Sequence, residues 1–180
     1  MTTSPKETKT ENPAVFITGA NGGIGREFVR LYAEAGWDLL LSGRDKSRLG
    51  QIASQYRPGI KVLILDGNIN ESMIVDRNGF LAHLYKVKHL ILCHGDHNTG
   101  AFADATWPAI LSELSTNTLA SIQIIYSVYS TMREQRRGTI IHMNSVAGKR
   151  YAPGEAIYSS SKHAMAGFLQ TLRPEAKQYK

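Results

Sequence analysis

A chain of 180 residues is long enough for one domain with a sizeable core, and 42% hydrophobic residues fit a globular protein rather than a disordered one. The net charge of +6 comes from Lys and Arg scattered over all segments; with no dense basic block, RNA-binding aromatic signature or zinc-finger spacing, nucleic acid is excluded as the main partner, and a phosphate-rich ligand suits the surface. No apolar run reaches the roughly eighteen residues of a membrane span, the polar start Met1 to Asn12 reads as a disordered, solvated tail rather than a secretory signal, and the single cysteine, Cys93, allows no internal disulfide and suits the cytoplasm.

From residue 13 onward, short apolar runs alternate with helical stretches. Ala14 to Thr18 predicts a first strand. Gly23 to Gly36 follows as a helix with Ile24, Phe28, Leu31 and Tyr32 on one side. Asp38 to Ser42 is a second strand, and Asp45 caps a helix to about Tyr56. Arg57-Pro58-Gly59 is a turn and Lys61 to Asp66 a third strand. A helix is expected within Glu71 to Tyr85, then a fourth strand, Lys88 to Cys93. A long helix from about Pro108 to Arg136 is broken by Gly138. Thr139 to Asn144 is a fifth strand, and a last helix starts near Glu155, with Pro174 expected to end or kink it. Strands apolar throughout are buried on both faces, which predicts a doubly wound, Rossmann-type parallel sheet of about five strands, ordered 3-2-1-4-5, with helices on both sides. No internal repeat or domain boundary interrupts residues 13–180.

After the first strand comes TGANGGIG, with Gly19, Asn21, Gly22, Gly23, Ile24 and Gly25 between a strand and a helix start. Missing side chains let a dinucleotide pyrophosphate approach the backbone, and the helix N-terminus offers unpaired N–H groups to it. The second strand ends in Ser42-Gly43-Arg44, with no acidic residue to hold a ribose 2′-hydroxyl. Arg44 either pairs with a 2′-phosphate, favouring NADP over NAD, or is a plain surface arginine. Asp66, ending the third strand, either holds the adenine edge or simply forms a turn.

Tyr158-Ser159-Ser160-Ser161-Lys162 puts a phenol and an ammonium at i and i+4, on one helix face about 6 Å apart at Cβ. A cation there favours phenolate over phenol, and a tyrosine so placed can give its proton to a carbonyl oxygen. Ser145, at the tip of the fifth strand in NSVAG, faces the ligand crevice at the carboxyl ends of the strands. Asn117 sits inside the long helix, against propensity. It is either a capping or solvent-facing residue, or a local helix break that holds a water near Lys162.

TGANGGIG, Asn117, Ser145 and YSSSK, in this order and spacing, resemble the short-chain dehydrogenase/reductase superfamily over Ala14 to about Leu172. The resemblance implies an NAD(P)(H)-dependent oxidoreductase working on a small-molecule carbonyl or secondary alcohol. Tyr158 would be the general acid/base, Lys162 would also hold the nicotinamide ribose, Ser145 would orient the carbonyl, and Asn117 would support a proton-relay water. Gly95, Tyr158 and Lys162 would join the glycine turn in holding the cofactor. The long helix and the Tyr158 helix would form a homo-oligomer face.

Two departures stand out. Where the family has Asn-Asn-Ala-Gly after the fourth strand, this chain has Leu92-Cys93-His94-Gly95. His94 takes the place of a small alanine beside the cofactor ribose, and the sheet hydrogen bonding of the asparagine needs a replacement. Cys93, His94, Asp96 and His97 invite a metal reading, but the spacing is too tight for a closed zinc site, so no metal is expected. His142, within an apolar strand, reads as a satisfied core histidine; His83, His89 and His163 form no constellation. The second departure is length. Family domains run to roughly 250 residues, so the resemblance implies a chain short of its C-terminal part, with the fifth strand as an exposed edge. The alternative to an enzyme is a non-catalytic dinucleotide-binding or interaction protein derived from such a domain.

Overall fold

A computed structural model describes residues 12–56, 62–66, 84 and 86–179, with the backbone alone for 63–66. The tail through residue 11, the Arg57-Pro58-Gly59 turn, nearly all of the helix expected within 71–85, and His83 lie outside the described residues.

Five strands form one sheet in the order β3-β2-β1-β4-β5: β1 (Ala14–Thr18), β2 (Asp38–Gly43), β3 (Val62–Asp66), β4 (Val87–Leu92) and β5 (Thr139–His142). All pairings are parallel, and the strand ends line up: Thr18 lies opposite Ser42 and Leu92, Gly43 opposite Asp66, and Leu92 opposite His142. Chain order reverses at β1, flanked by β2 on one side and β4 on the other. In such sheets the crevice beyond the strand ends at this reversal takes the ligand.

Apolar residues on both faces of the strands build two cores. Phe16, Leu40, Leu90 and Leu92 pack with Ile124, Ile125, Val128 and Met165 on one face; Val15, Ile17, Leu39, Leu41 and Ile91 pack with Val29, Leu49 and Ile52 on the other. The first face is covered by α4 (Ala120–Glu134) and α5 (Ala156–Lys177), the second by α1 (Gly23–Glu34) and α2 (Lys46–Ala53). Asp45 caps α2 as expected, its carboxylate accepting from the Arg48 N–H at 2.9 Å.

Three sequence expectations need correction. The buried face of α1 is Gly25, Val29 and Ala33; Phe28 and Tyr32 are only half-buried, and Ile24 and Leu31 are exposed. Small residues at four-residue spacing let α1 lie close on the sheet and turn Ile24 toward the crevice. The long helix is not continuous: α3 (Trp107–Leu114) passes through a single π turn, Ser115–Leu119, into α4. Finally, α5 runs through Pro174 to Lys177. Proline removes one N–H bond to the carbonyl four residues back, and that carbonyl belongs to Gln170, an exposed residue. Among the described residues β5 pairs with β4 alone and is half exposed along its length.

Candidate active site

The glycine turn is shaped by steric demand at two positions. Gly19 has φ +61°, and a Cβ there would stand 2.8 Å from the His94 nitrogen. A Cβ on Gly25 would overlap the Gly19 carbonyl oxygen and lie 2.9 Å from the Ala20 Cα. Both clashes are with backbone, so no side-chain rotation relieves them. Gly25→Ala is therefore expected to lower stability by about 1–3 kcal/mol, read from a urea midpoint. Gly50→Ala, at a helical site with nothing within 4 Å, is the control and should stabilise by up to about 1 kcal/mol.

The turn leaves α1 with Gly22 as its N-cap, no side-chain cap bond and no acidic residue in the first turn. Gly22, Gly23 and Ile24 are exposed. The first N–H groups of α1 thus face the crevice uncapped, a cradle that fits an anionic phosphate. Asn21 lies over the end of β2, where a Cβ on Gly43 would come within 2.8 Å of its Oδ1. Asp66 ends β3 beside Gly43. Arg44, at the tip of β2, reaches to Asp96 beyond β4, with Nη1 3.1 Å from the carboxylate.

The residues after β4 point three different ways. Half-buried His94 has Nδ1 2.6 Å from Thr18 Oγ1 and Nε2 3.2 Å from Ser121 Oγ. Ser121 donates to the Asn117 carbonyl at 2.9 Å, so its oxygen is left to accept from Nε2–H, and Nδ1 accepts from the Thr18 hydroxyl. This chain, Thr18 to His94 to Ser121, ties β1 to α4. Asp96 faces Arg44, and His97 Nε2 lies 3.2 Å from Glu155. Among the described residues no group of three metal-ligating side chains converges.

Asn117 is buried in the π turn. Its Oδ1 accepts from the Asp96 N–H and its Nδ2 donates to the Asp96 carbonyl, both at 2.8 Å; Nδ2 also reaches Ser161 Oγ at 3.1 Å. A π turn is the local break the sequence admitted, and it lets one amide clamp the loop after β4 to the α5 helix. Solvent exposure, the other reading, is overturned by this burial. Gly95 sits between the two partners: a Cβ there would be 3.2 Å from Asn117 Oδ1 and 3.6 Å from Lys162 Nζ.

Lys162 is buried, donates to the Met143 carbonyl at 3.3 Å, and lies 5.5 Å from the centre of the Tyr158 ring. Burial lowers its pKa, and the negative charge of Glu113 opposes that shift. Tyr158 is half-buried, and its ring packs on His97 with centroids 4.1 Å apart. Ser145 opens a short 3-10 turn, Val146–Gly148, and its Oγ accepts from the Ala147 N–H at 3.2 Å, which leaves the hydroxyl hydrogen free to donate. Ser159 donates to the Ala147 carbonyl at 2.8 Å, and Gly148 presses on the Lys162 backbone. The Ser145 turn is thereby bolted to the helix that carries Tyr158 and Lys162.

Sequence reasoning missed Thr18, Ser121, Ser161, Asp96 and Glu113. Ser161 carries a signal within YSSSK, since it follows Tyr158 by three residues and so lies on the same side of the helix. His142 was misjudged: it is half-buried and its Nδ1, among the described residues, has no hydrogen-bond partner. Burial and the nearby Lys162 and His94 charges bring its pKa down to about 4.

No helix among the described residues is long and apolar enough to cross a membrane. The short chain dehydrogenase family model matches residues 13–180. The dehydrogenase/reductase SDR family member 7B of Xenopus laevis is 28% identical over 176 residues, covering 92% of this chain and 54% of the relative. The 3-oxoacyl-[acyl-carrier-protein] reductase of Bos taurus is 31% identical over 170 residues, covering 93% of this chain and 70% of the relative. Among solved structures, a short-chain dehydrogenase from Sphingobium yanoikuyae in complex with NADPH superposes with a TM-score of 0.80 at 28% identity, over 93% of this chain and 66% of that one. The chain spans a little over half the length of the family member 7B relatives it matches. With its glycine turn, parallel sheet and YSSSK helix in one crevice, the chain belongs to the short-chain dehydrogenase family.

Proposed function

We propose that the chain is an NADP-preferring oxidoreductase that interconverts a small-molecule carbonyl and a secondary alcohol, with Tyr158 as general acid/base. The observation that carries this reading is the buried Lys162 ammonium, 5.5 Å from the Tyr158 ring centre and next to Gly95 across the crevice from the glycine turn. The uncapped start of α1 at Gly22 to Ile24 would hold the pyrophosphate, with Gly19, Asn21 and Gly25 shaping the approach. Asp66 would face the adenine, and Gly95, Tyr158 and Lys162 would line the nicotinamide ribose. When bound, the nicotinamide supplies or accepts the hydride.

The chain's own residues do the rest. Ser145 donates its hydroxyl hydrogen to the substrate carbonyl oxygen and holds it beside Tyr158. As carbon is reduced, the phenol gives its proton to that oxygen, and the Lys162 ammonium offsets the charge left on the phenolate. Asn117 holds Gly95 and Asp96 in place, so the crevice floor does not move as charge develops. In the opposite direction the phenolate takes the alcohol proton.

Arg44 supports NADP over NAD, because no acidic side chain stands at the tip of β2 to take a 2′-hydroxyl. Its exposed bond to Asp96 is weak in water and can be exchanged for a 2′-phosphate. Arg44→Ala should weaken NADPH binding by roughly tenfold or more and leave NADH almost untouched, as read by titrating each cofactor's fluorescence.

The reading is tested by titrating NADPH and NADH side by side and following absorbance with a panel of ketones and 3-oxoacyl thioesters. Saturable binding and turnover, faster with NADPH, is the expected result. Binding without turnover on any panel member favours a non-catalytic dinucleotide-binding protein. Absence of binding by either cofactor overturns both.

A further inference from the structure

The loop after Gly95 lies across the start of α5. Exposed His97 sets its ring on the Tyr158 ring, with centroids 4.1 Å apart and planes tilted by 41°, and its Nε2 lies 3.2 Å from Glu155 Oε1. Glu155 is the N-cap residue of α5, three positions before Tyr158, and its carboxylate makes no cap bond, so it is left to the imidazole. The loop is pinned on both sides of His97. Asn117 holds the N–H and the carbonyl of Asp96. Beyond His97, the Asn98 amide donates to Glu113 Oε2 of α3 at 3.0 Å, and the Gly100 N–H donates to the Gly154 carbonyl at 3.0 Å. The imidazole therefore stands on a backbone fixed to two helices and to the turn before α5.

Tyr158 needs such a neighbour. Among the described residues no hydrogen bond holds its hydroxyl, so the direction of the phenol depends on what packs against the ring. A half-buried ring that is free at its hydroxyl can leave one rotamer for another. Aromatic rings in contact attract each other enough to change such an equilibrium by about two- to tenfold, and a reacting group displaced by about 1 Å loses much of its effect. We propose that His97 is a positioning residue for Tyr158: its imidazole, anchored by Glu155, holds the phenol ring in the orientation from which the hydroxyl meets the substrate oxygen. The role rests on the reductase reading of Tyr158. The contact is ring on ring, so His97 acts on the direction of the phenol and takes no proton from it.

The test follows the ring and the rate together, on the full chain. Tyrosine labelled with carbon-13 in the ring gives the Tyr158 signal in NMR, assigned by its loss in Tyr158→Phe. His97→Ala should move that signal, because the imidazole ring current is gone. It should also lower kcat by about three- to tenfold, with KM and NADPH affinity within about twofold of the parent. His97→Phe keeps a ring in place and should retain at least about half of the parental kcat. Glu155→Ala, which leaves the imidazole but cuts its anchor, should lower kcat by a smaller factor. In a Tyr158→Phe chain, His97→Ala should cost nothing further, because it acts through a hydroxyl that is already absent. Should His97→Ala fail to fold, His97→Ser is read by the same criteria. An unmoved ring signal, or a full additional loss on top of Tyr158→Phe, overturns the proposal. Parental turnover that survives loss of the imidazole unchanged sinks this role alone; a ring signal that moves in a chain without turnover upholds the contact and counts against the reductase reading.

Discussion

A Tyr158→Phe chain is expected to bind NADPH as the parent does and to reduce ketones at least about a hundredfold more slowly. The ring's packing on His97 and its place above Lys162 belong to the ring, not the hydroxyl, so phenylalanine keeps them and the fold stays intact. What is lost is the proposed general acid, and general acid catalysis contributes roughly 10²–10⁴ in rate. Because proton transfer is made in the transition state, the loss should fall on kcat with KM nearly constant. The measurement is steady-state turnover with the best substrate of the panel, beside a fluorescence titration of NADPH. A variant that retains more than a tenth of parental turnover would remove Tyr158 from the acid/base role; one that loses NADPH binding would show that the hydroxyl serves the cofactor instead.

Strand identity was legible because these strands are apolar on both faces and bounded by turn residues. LLLS in β2 and HLIL in β4 admit little else at four to six residues. Ends were read one or two residues long, at Cys93 and at Asn144: Cys93 still bonds its N–H to the Thr18 carbonyl and packs on the core, whereas the Asn144 side chain turns to the Lys162 carbonyl and the Ser145 N–H. The order of strands followed from the handedness of crossovers.

The crevice was less legible, and for one reason: its geometry is made by pairs distant in sequence. Arg44 carries no local mark of Asp96. Asn117 gave only a poor helix propensity, and the π turn that turns its amide toward Asp96 and Ser161 is not visible in residue types. Glu113 stands in an otherwise ordinary amphipathic stretch; only burial tells it from a surface acid. His94 was read from a motif in which alanine stands beside a ribose, and no local residue type marks its distant partners Thr18 and Ser121. Its place between the polar atoms of β1 and α4 changes how the whole domain responds to acid.

Half-buried and neutral, His94 makes stability depend on pH in a defined window. Burial, aided by the charge of Lys162, brings its folded pKa down to about 4 from 6.5. Above pH 6.5 neither the folded nor the unfolded chain protonates it, and its contribution is fully present. As pH falls below 6.5 the unfolded chain takes up a proton that the folded one refuses, so stability drops until the folded form also protonates near pH 4, below which the loss levels off. A depression of this size corresponds to about 3 kcal/mol, a large part of the stability of a domain this small. His142, depressed chiefly by burial as well, loses stability in the same window. Urea unfolding between pH 7.5 and 4.5 should show the parent falling more steeply than His94→Asn, which retains polar atoms toward Thr18 but cannot titrate. The difference in slope near pH 5.3 should approach about 1.4 kcal/mol per pH unit, one proton's worth. Parallel slopes would mean that His94 is reached by water and charges freely in the folded chain. In that event the Thr18–His94–Ser121 link would not be the buried tie between β1 and α4 that holds Asn117, and with it Gly95, beneath the reaction centre.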